Sequence, residues 1–213
     1  MTALSGVTLH GSFLSAPTYK VALMLALTRS SFAYRHVDLS KGEHKKPDFL
    51  GVSRYGQVPA LEHGGLRLVQ SNTILQYLAQ QTGQFGGSTE REKWSALEWL
   101  SWEADRHSPG VNRTRFFIRF MKPDPAIADY FHKAAEAGLA VLDQALGQGE
   151  WLVGKGPTIA DIAVYAPLSH AAEGNFDLAQ WPNVQAWTAR LQALPGFKAP
   201  YDLLPKANQT VTA

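Results

Sequence analysis

The sequence contains no cysteine among its 213 residues. This absence excludes disulfide bonds, thiolate metal sites and a nucleophilic thiol supplied by the protein itself. Long hydrophobic runs are also missing, because the apolar stretch from Val21 to Leu27 is too short to span a bilayer. We therefore expect no membrane span, and any thiol chemistry must use a thiol that comes from elsewhere.

An excess of charge of one sign is absent as well. The formal net charge is +2, and no basic run or interleaving of basic and aromatic residues occurs, so nothing indicates a nucleic-acid or anionic-membrane partner. The seven histidines are scattered, and we expect no metal site. The N-terminal residues lack the basic region of a signal peptide, which leads us to expect a cytoplasmic protein.

What is present is organised around one stretch that reads as strand, turn, strand and helix. Two short apolar runs, Val58 to Glu62 and Leu66 to Gln70, flank the sequence His63-Gly64-Gly65, which is typical of a hairpin turn. A helical pattern then starts at Ser71. Closing the hairpin brings Val58 next to Gln70 and Ser71.

This hairpin end has the features of a binding site for a short peptide. Pro59 has no N–H, which leaves the backbone of Val58 as a candidate to pair with an extended ligand. The helix that begins at Ser71 offers N–H groups and a positive dipole end to a carboxylate, while Gln70 suits an amine. The alternative is an ordinary hairpin followed by a helix with a serine cap.

The order of elements predicts two domains. A strand at Val7 to His10, a helix from Pro17 and a strand at Phe32 to Asp38 precede the short helix Pro47 to Leu50 and the hairpin. Beyond the glycine-rich linker 81–88 the pattern predicts helices only. The predicted helices are Arg91 to His107, Asn112 to Met121, Pro125 to Leu146, Ile159 to Ala172 and Val184 to Leu194. The fold class is thus an α/β domain followed by an all-α domain.

The segments Gln57-Val58-Pro59 and Gln70-Ser71 resemble the glutathione-binding motifs of the cytosolic glutathione S-transferases, with the serine-type bacterial members most similar. The resemblance implies a thioredoxin-like glutathione-binding domain over residues 1–82 and a helical domain over 89–213 that contributes an electrophile pocket. It also implies a cis bond before Pro59, with Val58 pairing with the cysteinyl part of glutathione. Gln70 and Ser71 would hold its γ-glutamyl carboxylate.

The loop before the first helix contains several hydroxyl groups. The transferases stabilise the glutathione thiolate at this place, and the resemblance assigns that role to Ser15. The need is physical, because a free thiol has a pKa of about 8.5 and is mostly protonated at neutral pH. Ser12 and Thr18 are the alternatives, Tyr19 is a weaker candidate, and Ser15 could instead only cap the helix.

The pair His44-Lys45 resembles the pair that contacts the glycine carboxylate of glutathione in related transferases, although a lysine-rich loop is also often simply solvated. Two departures put the subclass in doubt. Ser53-Arg54-Tyr55 stands where many relatives have Asn-Pro-Phe, and Asn72 follows Ser71 where plant-type members have arginine.

The resemblance implies a detoxifying homodimer in which glutathione thiolate attacks a hydrophobic electrophile. Two alternatives are open. One is the reduction of disulfides or peroxides by bound glutathione, and the other is a binding module that keeps the fold without catalysis. The second is less favoured, because Val58-Pro59, Gln70 and Ser71 are all present.

Overall fold

The computed structural model describes residues 2–212. They fall into two units: the first comprises the chain up to Gln84 together with the residues from Leu194 onwards, and the second is Phe85–Ala193. The sequence placed the whole of 89–213 in one helical domain. The structure differs for the C-terminal segment, which belongs with the first unit because part of it joins the sheet there.

The first unit contains a mixed sheet of five strands with helices packed on it. The strands are β1 Val7–Gly11, β2 Phe32–His36, β3 Ala60–His63, β4 Leu66–Val69 and β5 Gln209–Val211, in the spatial order β4-β3-β1-β2-β5. Strands β1 and β2 are parallel, whereas β3, β4 and β5 each run antiparallel to the neighbour they join. The helices are α1 Ala16–Leu27, α2 Pro47–Leu50 and α3 Ser71–Thr82.

Alternation along the strands separates the two faces of this sheet. Leu9 of β1 pairs with Leu61 of β3, both are fully buried, and α1 packs on their face. The neighbouring pair, His10 and Ala60, points to the other face, where Phe49 of α2 lies against both. Helix α1 has eleven buried residues, so it is the central helix of this unit rather than a surface helix.

The predicted hairpin is present, and its turn is the tight two-residue type. Gly64 and Gly65 have φ values of 57° and 83°, which glycine adopts without a steric penalty. His63 pairs directly with Leu66, so the register carries Ala60 opposite Val69 at the far end. This register therefore brings Pro59 next to Gln70 at the open end of the hairpin.

The second unit is helical, as the sequence predicted. Its α-helices are α4 Glu90–Trp102, α5 Ser108–Phe120, α6 Pro125–Leu146, α7 Ile159–Leu168 and α8 Pro182–Gln192. Helix α7 is buried along its whole length and begins with a capping box. The side chain of Thr158 accepts a hydrogen bond from the backbone N–H of the third helical residue, Asp161, and the side chain of Asp161 accepts one from the backbone N–H of Thr158.

One predicted break between helices is wrong. The sequence predicts one helix that ends at His107 and another that starts at Asn112, but the chain continues from α4 through a π-helical segment, Glu103–His107, directly into α5, Ser108–Phe120. Pro109 lies in the first turn of α5, immediately after the π-helical segment. Gly110 is required there for packing, since an added Cβ would lie 2.8 Å from the backbone N of Ala135.

The C-terminal segment wraps the first unit. After the short helix α9 Pro200–Leu203, strand β5 adds to the outer edge of β2, with Gln209 opposite Tyr34 and Val211 opposite Phe32. No helix within residues 2–212 is long and apolar enough to cross a membrane. The same residues hold no group of three or more histidine or acidic side chains placed to bind a metal ion.

Candidate functional site

Ser15 lies at the N-terminus of α1. Its Oγ accepts a hydrogen bond from the backbone N–H of Thr18 at 3.2 Å, so it caps the helix, and it is half-buried. A hydroxyl that accepts one hydrogen bond still has its own proton to donate. Capping and donation to a bound anion are therefore compatible, and the positive end of α1 adds to the attraction.

The other hydroxyls of this loop are less accessible. Thr18 is fully buried, and its Oγ1 accepts from the backbone N–H of Ser12 at 3.3 Å, while Ser12 itself is only 3 % exposed. The Thr18 side chain fills the space beside Gly11, where an added Cβ would lie 2.1 Å from its Cγ2. Tyr19 is buried and donates its hydroxyl to the carbonyl of Lys198 at 2.9 Å.

The open end of the hairpin brings distant residues together. The peptide bond between Val58 and Pro59 is cis, the isomer that the resemblance implied. Because Ala60 pairs with Val69, Pro59 lies beside Gln70. The side chains of Gln70 and Gln57 approach each other, with Nε2 3.5 Å from Oε1.

Gln70 has an unusual backbone conformation at the junction between β4 and α3. Its φ of 70° and ψ of 113° lie outside the regions that residues with a Cβ normally occupy, a cost of about 1–3 kcal/mol that tends to persist at functional sites. Helix α3 begins at the next residue, Ser71, and Gln70 makes no side-chain cap. The N–H groups of the first turn and the helix dipole are thus suited to a carboxylate.

His44 and Lys45 lie in a one-turn 3-10 helix, Glu43–Lys45, that packs against the segment leading to Val58. The Nζ of Lys45 donates to the carbonyl of Gly56 at 3.1 Å, which leaves two of its three donors for a ligand. Gly56 has a φ of 56°, and a Cβ there would come within 2.8 Å of the His44 carbonyl oxygen. This close approach holds the basic pair next to Gln57.

Two contributors were not predicted from the sequence. Lys20, only 2 % exposed, donates to Oδ1 of Asn72 at 2.8 Å and so joins the N-terminal half of α1 to the first turn of α3. Ser53 is fully buried, and its Oγ both donates to the carbonyl of Gln57 and accepts from its N–H. The sequence signal for Lys20 was the presence of a lysine within the apolar pattern of α1. The two departures noted in the sequence, at Ser53 and Asn72, thus have structural partners.

The arrangement suits an extended peptide anion. The structure gathers the predicted binding residues around the hairpin end; they are His44, Lys45, Gln57, Val58, Pro59, Gln70 and Ser71. The N-terminus of α3 and the basic pair are two positions whose charge suits a carboxylate. The Lys20–Asn72 hydrogen bond joins α3 to α1, the helix that Ser15 caps.

In the second unit, the guanidinium of Arg115 is paired with a carboxylate rather than open to solvent. Arg115 is 6 % exposed and donates from Nε to Glu173 at 2.9 Å, and Arg119 binds the same carboxylate. His170 also contacts Glu173, and burial lowers the pKa of His170 to about 4. Arg113 remains exposed on the same helix.

Comparison with known proteins gives concordant matches for both units. Residues 5–80 match the family model described as the glutathione S-transferase N-terminal domain, and residues 112–195 match that of its C-terminal domain. The disulfide-bond oxidoreductase YfcG of Escherichia coli K12 is 31% identical over 191 residues, which cover 84% of this chain and 89% of that protein.

Solved structures agree with these matches. A glutathione S-transferase from Pseudomonas fluorescens is 34% identical, with a TM-score of 0.87 over 93% of this chain and 100% of that one. The glutathione transferase URE2P8 from Phanerochaete chrysosporium, solved with oxidized glutathione, is 26% identical, with a TM-score of 0.84 over 95% of this chain and 96% of the other.

Proposed function

Since this chain belongs to the glutathione S-transferase family, we propose that it binds glutathione along the hairpin end and activates its thiol at Ser15. The predicted fold and family are confirmed. The chain is a glutathione transferase, and glutathione is its co-substrate. What we propose is which residues bind glutathione and which residue activates its thiol.

The binding residues follow the length of the tripeptide. The N-terminus of α3 at Ser71 receives the γ-glutamyl carboxylate, and Gln70 lies beside its amine. The backbone of Val58, ahead of cis Pro59, pairs with the cysteinyl residue, and Gln57 adjoins it. His44 and Lys45 bind the glycine carboxylate at the other end, supported by the two Lys45 donors left after its bond to Gly56.

Activation rests on one observation: Ser15 is the half-buried hydroxyl at the N-terminus of α1, and its proton remains available after the oxygen has capped the helix. A hydrogen bond donated to the thiolate favours the charged form and so lowers the thiol pKa. Each unit of depression corresponds to about 1.4 kcal/mol. Without a protein cysteine, the nucleophile is the sulfur of glutathione.

The reaction is attack of this thiolate on a hydrophobic electrophile. The sulfur electron pair forms a bond to the electrophilic carbon, and the leaving group departs with the electron pair of the bond that breaks. Where the electrophile is an activated alkene, the adjacent carbon takes up a proton from solvent instead. Attack uses the thiolate, so a lower thiol pKa increases the reactive fraction at neutral pH.

A second activity is favoured by the similarity to YfcG, whose name describes a disulfide-bond oxidoreductase. Bound glutathione thiolate would attack a disulfide, form a mixed disulfide and release one thiolate. A second glutathione would then displace the other thiolate and yield glutathione disulfide. The chain has no cysteine to replace glutathione in either step. A disulfide substrate supplied without any electrophile separates this activity from conjugation.

Replacing the proposed donor tests the assignment. Ser15→Ala removes the hydroxyl but leaves the binding residues in place, so kcat/KM for conjugation below neutral pH is expected to fall about 10–100-fold, with a much smaller change in KM for glutathione. Ser101→Ala, an exposed serine of α4, is the matched control. Steady-state kinetics from pH 6 to 9 measure the effect. If Ser12→Ala lost the activity and Ser15→Ala kept it, the donor assignment would be wrong.

The resemblance also implies a cytoplasmic, detoxifying homodimer, and this finer description belongs to the proposal. The helical unit is proposed to bind the electrophile, with exposed aromatic side chains such as Phe116 and Phe120 of α5 as candidates.

A further inference from the structure

The C-terminal segment reaches the loop that carries Ser15. Strand β5 pairs with the outer edge of β2, and the side chain of Asn208 extends the pairing, because its Oδ1 accepts from the backbone N–H of His36 at 2.8 Å. His36 is the last residue of β2 and pairs with Gly11, the last residue of β1. The segment is therefore attached next to the carboxyl ends of the two parallel strands, where the loop to α1 begins.

The loop itself is a tight turn. The backbone N–H of Ser15 donates to the carbonyl of Ser12 at 3.0 Å, which places Phe13 at the outer part of the turn. The orientation of Ser15 depends on this turn, because its two ends are fixed by β1 and by the cap of α1. The side chain of Phe13 is a part of the turn that other elements contact.

Two groups from different parts of the chain hold the ring of Phe13. The imidazole of His36 lies with its centroid 5.7 Å from the ring centroid, and Nζ of Lys206 lies 5.4 Å from it, a distance at which a cation is attracted to an aromatic face. Lys206 stands three residues before β5 and is anchored by that strand. The far end of the segment is also fixed, because Lys198 donates to the carbonyl of Thr212 at 3.1 Å.

We propose that Phe13 is a positioning residue for Ser15 and that the segment Lys206–Val211 holds it in place through Lys206. The segment acts on the reaction by fixing the turn, so that the Ser15 hydroxyl points at the glutathione sulfur. This inference rests on the role proposed for Ser15. It assigns a function to the C-terminal strand, a segment predicted from the sequence to belong to the helical domain.

The test compares variants of the full-length protein by the pH titration of the thiolate absorbance of bound glutathione. Phe13→Leu keeps an apolar side chain but removes the ring, and Lys206→Met keeps the stem but removes the charge. Each is expected to raise the pKa of the bound thiol by about one unit, which lowers turnover well below that pKa about tenfold. KM for glutathione should change little, because neither residue lies among the proposed binding residues.

Three further variants make the result specific. Lys206→Arg keeps a cation over the ring, so the bound thiol should have the wild-type pKa in this variant. Lys155→Met, an exposed lysine of the second unit, should have no effect. Ser15→Ala should raise the pKa and show no further rise when combined with Phe13→Leu, because both act through one hydroxyl.

A wild-type thiol pKa in Phe13→Leu, measured on protein with a native circular dichroism spectrum, would overturn the proposal. So would a rise confined to Lys206→Met, because Lys206 would then act on the thiolate by its charge alone. If Ser15→Ala shifts the pKa and Phe13→Leu does not, only this inference fails. If Ser15→Ala leaves the pKa unchanged, the proposed role of Ser15 fails and the inference falls with it.

Discussion

His170 is a residue whose protonation is linked to the stability of the helical unit. It is 3 % exposed and contacts Glu173, and Arg115 and Arg119 bind the same carboxylate. Burial is the main cause that lowers the pKa of His170 to about 4, and the positive charge of Arg115 acts in the same direction. The neutral form is thus the one that fits the fold.

This pKa predicts a loss of stability in mild acid. An unfolded histidine binds its proton near pH 6.5, whereas folded His170 binds it near pH 4, so between these values the unfolded state holds more protons. The contribution of neutral His170 to the free energy of unfolding is complete above about pH 6.5, and it falls by up to about 3 kcal/mol as the pH drops towards 4. Urea unfolding across this range should show a shallower fall for His170→Asn. An equal fall in both proteins would contradict the assignment.

At the residue scale the sequence predicted which residues lie together at the hairpin end, but it did not predict the side chains that support them. Val58, Gln70 and Ser71 were predictable because a hairpin register makes them neighbours. The Lys20–Asn72 hydrogen bond was not, because it depends on how α1 packs against α3. Pairing between residues 52 positions apart leaves no local pattern in the sequence.

Among the elements, α7 begins with a buried carboxylate that accepts several hydrogen bonds. Asp161 is fully buried and accepts hydrogen bonds from the N–H and hydroxyl of Thr158, from the N–H of Leu152 and from the indole of Trp187. Burial raises the pKa of the Asp161 carboxyl, and these four donors oppose the rise. The carboxylate thus connects the helix start to the preceding loop and to α8.

Asp161→Ala would leave four donors, three of them buried, without their acceptor and is expected to lower the free energy of unfolding by about 3–5 kcal/mol. Thr89→Ala, at the exposed N-cap of α4, is the matched control, with an expected cost of about 1 kcal/mol. Equilibrium denaturation of both variants measures the difference. Equal losses would show that Asp161 acts as an ordinary cap.

Elements with a strong local pattern were predicted well, and those defined by tertiary pairing were not. Helix α6 and the short helix α2 have the predicted bounds, because proline starts each one and an apolar pattern follows. Strand β5 was missed: Gln209, Thr210 and Val211 form a three-residue strand whose only signal is its partner β2. The π-helical segment was also missed, since the Pro109 region suggested a break.

For the whole molecule, the predicted boundary near residue 82 lies close to the division after Gln84. The second division, between Ala193 and Leu194, was not predicted. The linker has a compositional signal in its glycines. The return of the residues from Leu194 to the first unit has none, because it follows from sheet pairing and from contacts such as that of Tyr19 with Lys198.

The proposed homodimer is a prediction at this scale. We expect a solution mass of twice 23.4 kDa by light scattering after size-exclusion chromatography. A single species of 23.4 kDa at micromolar concentration would contradict it. The glutathione contacts proposed here all come from one chain, so a monomer would leave the proposed roles of Ser15 and Val58 standing.

Activation of glutathione by Ser15 can be measured by the pH titration of the ultraviolet thiolate absorbance of glutathione bound to the purified protein, with Ser15→Ala alongside. We expect a bound thiol pKa at least about one unit below the free value of about 8.5, and a return towards 8.5 in the variant. A bound thiol that titrates near 8.5 in the unaltered protein would contradict this expectation.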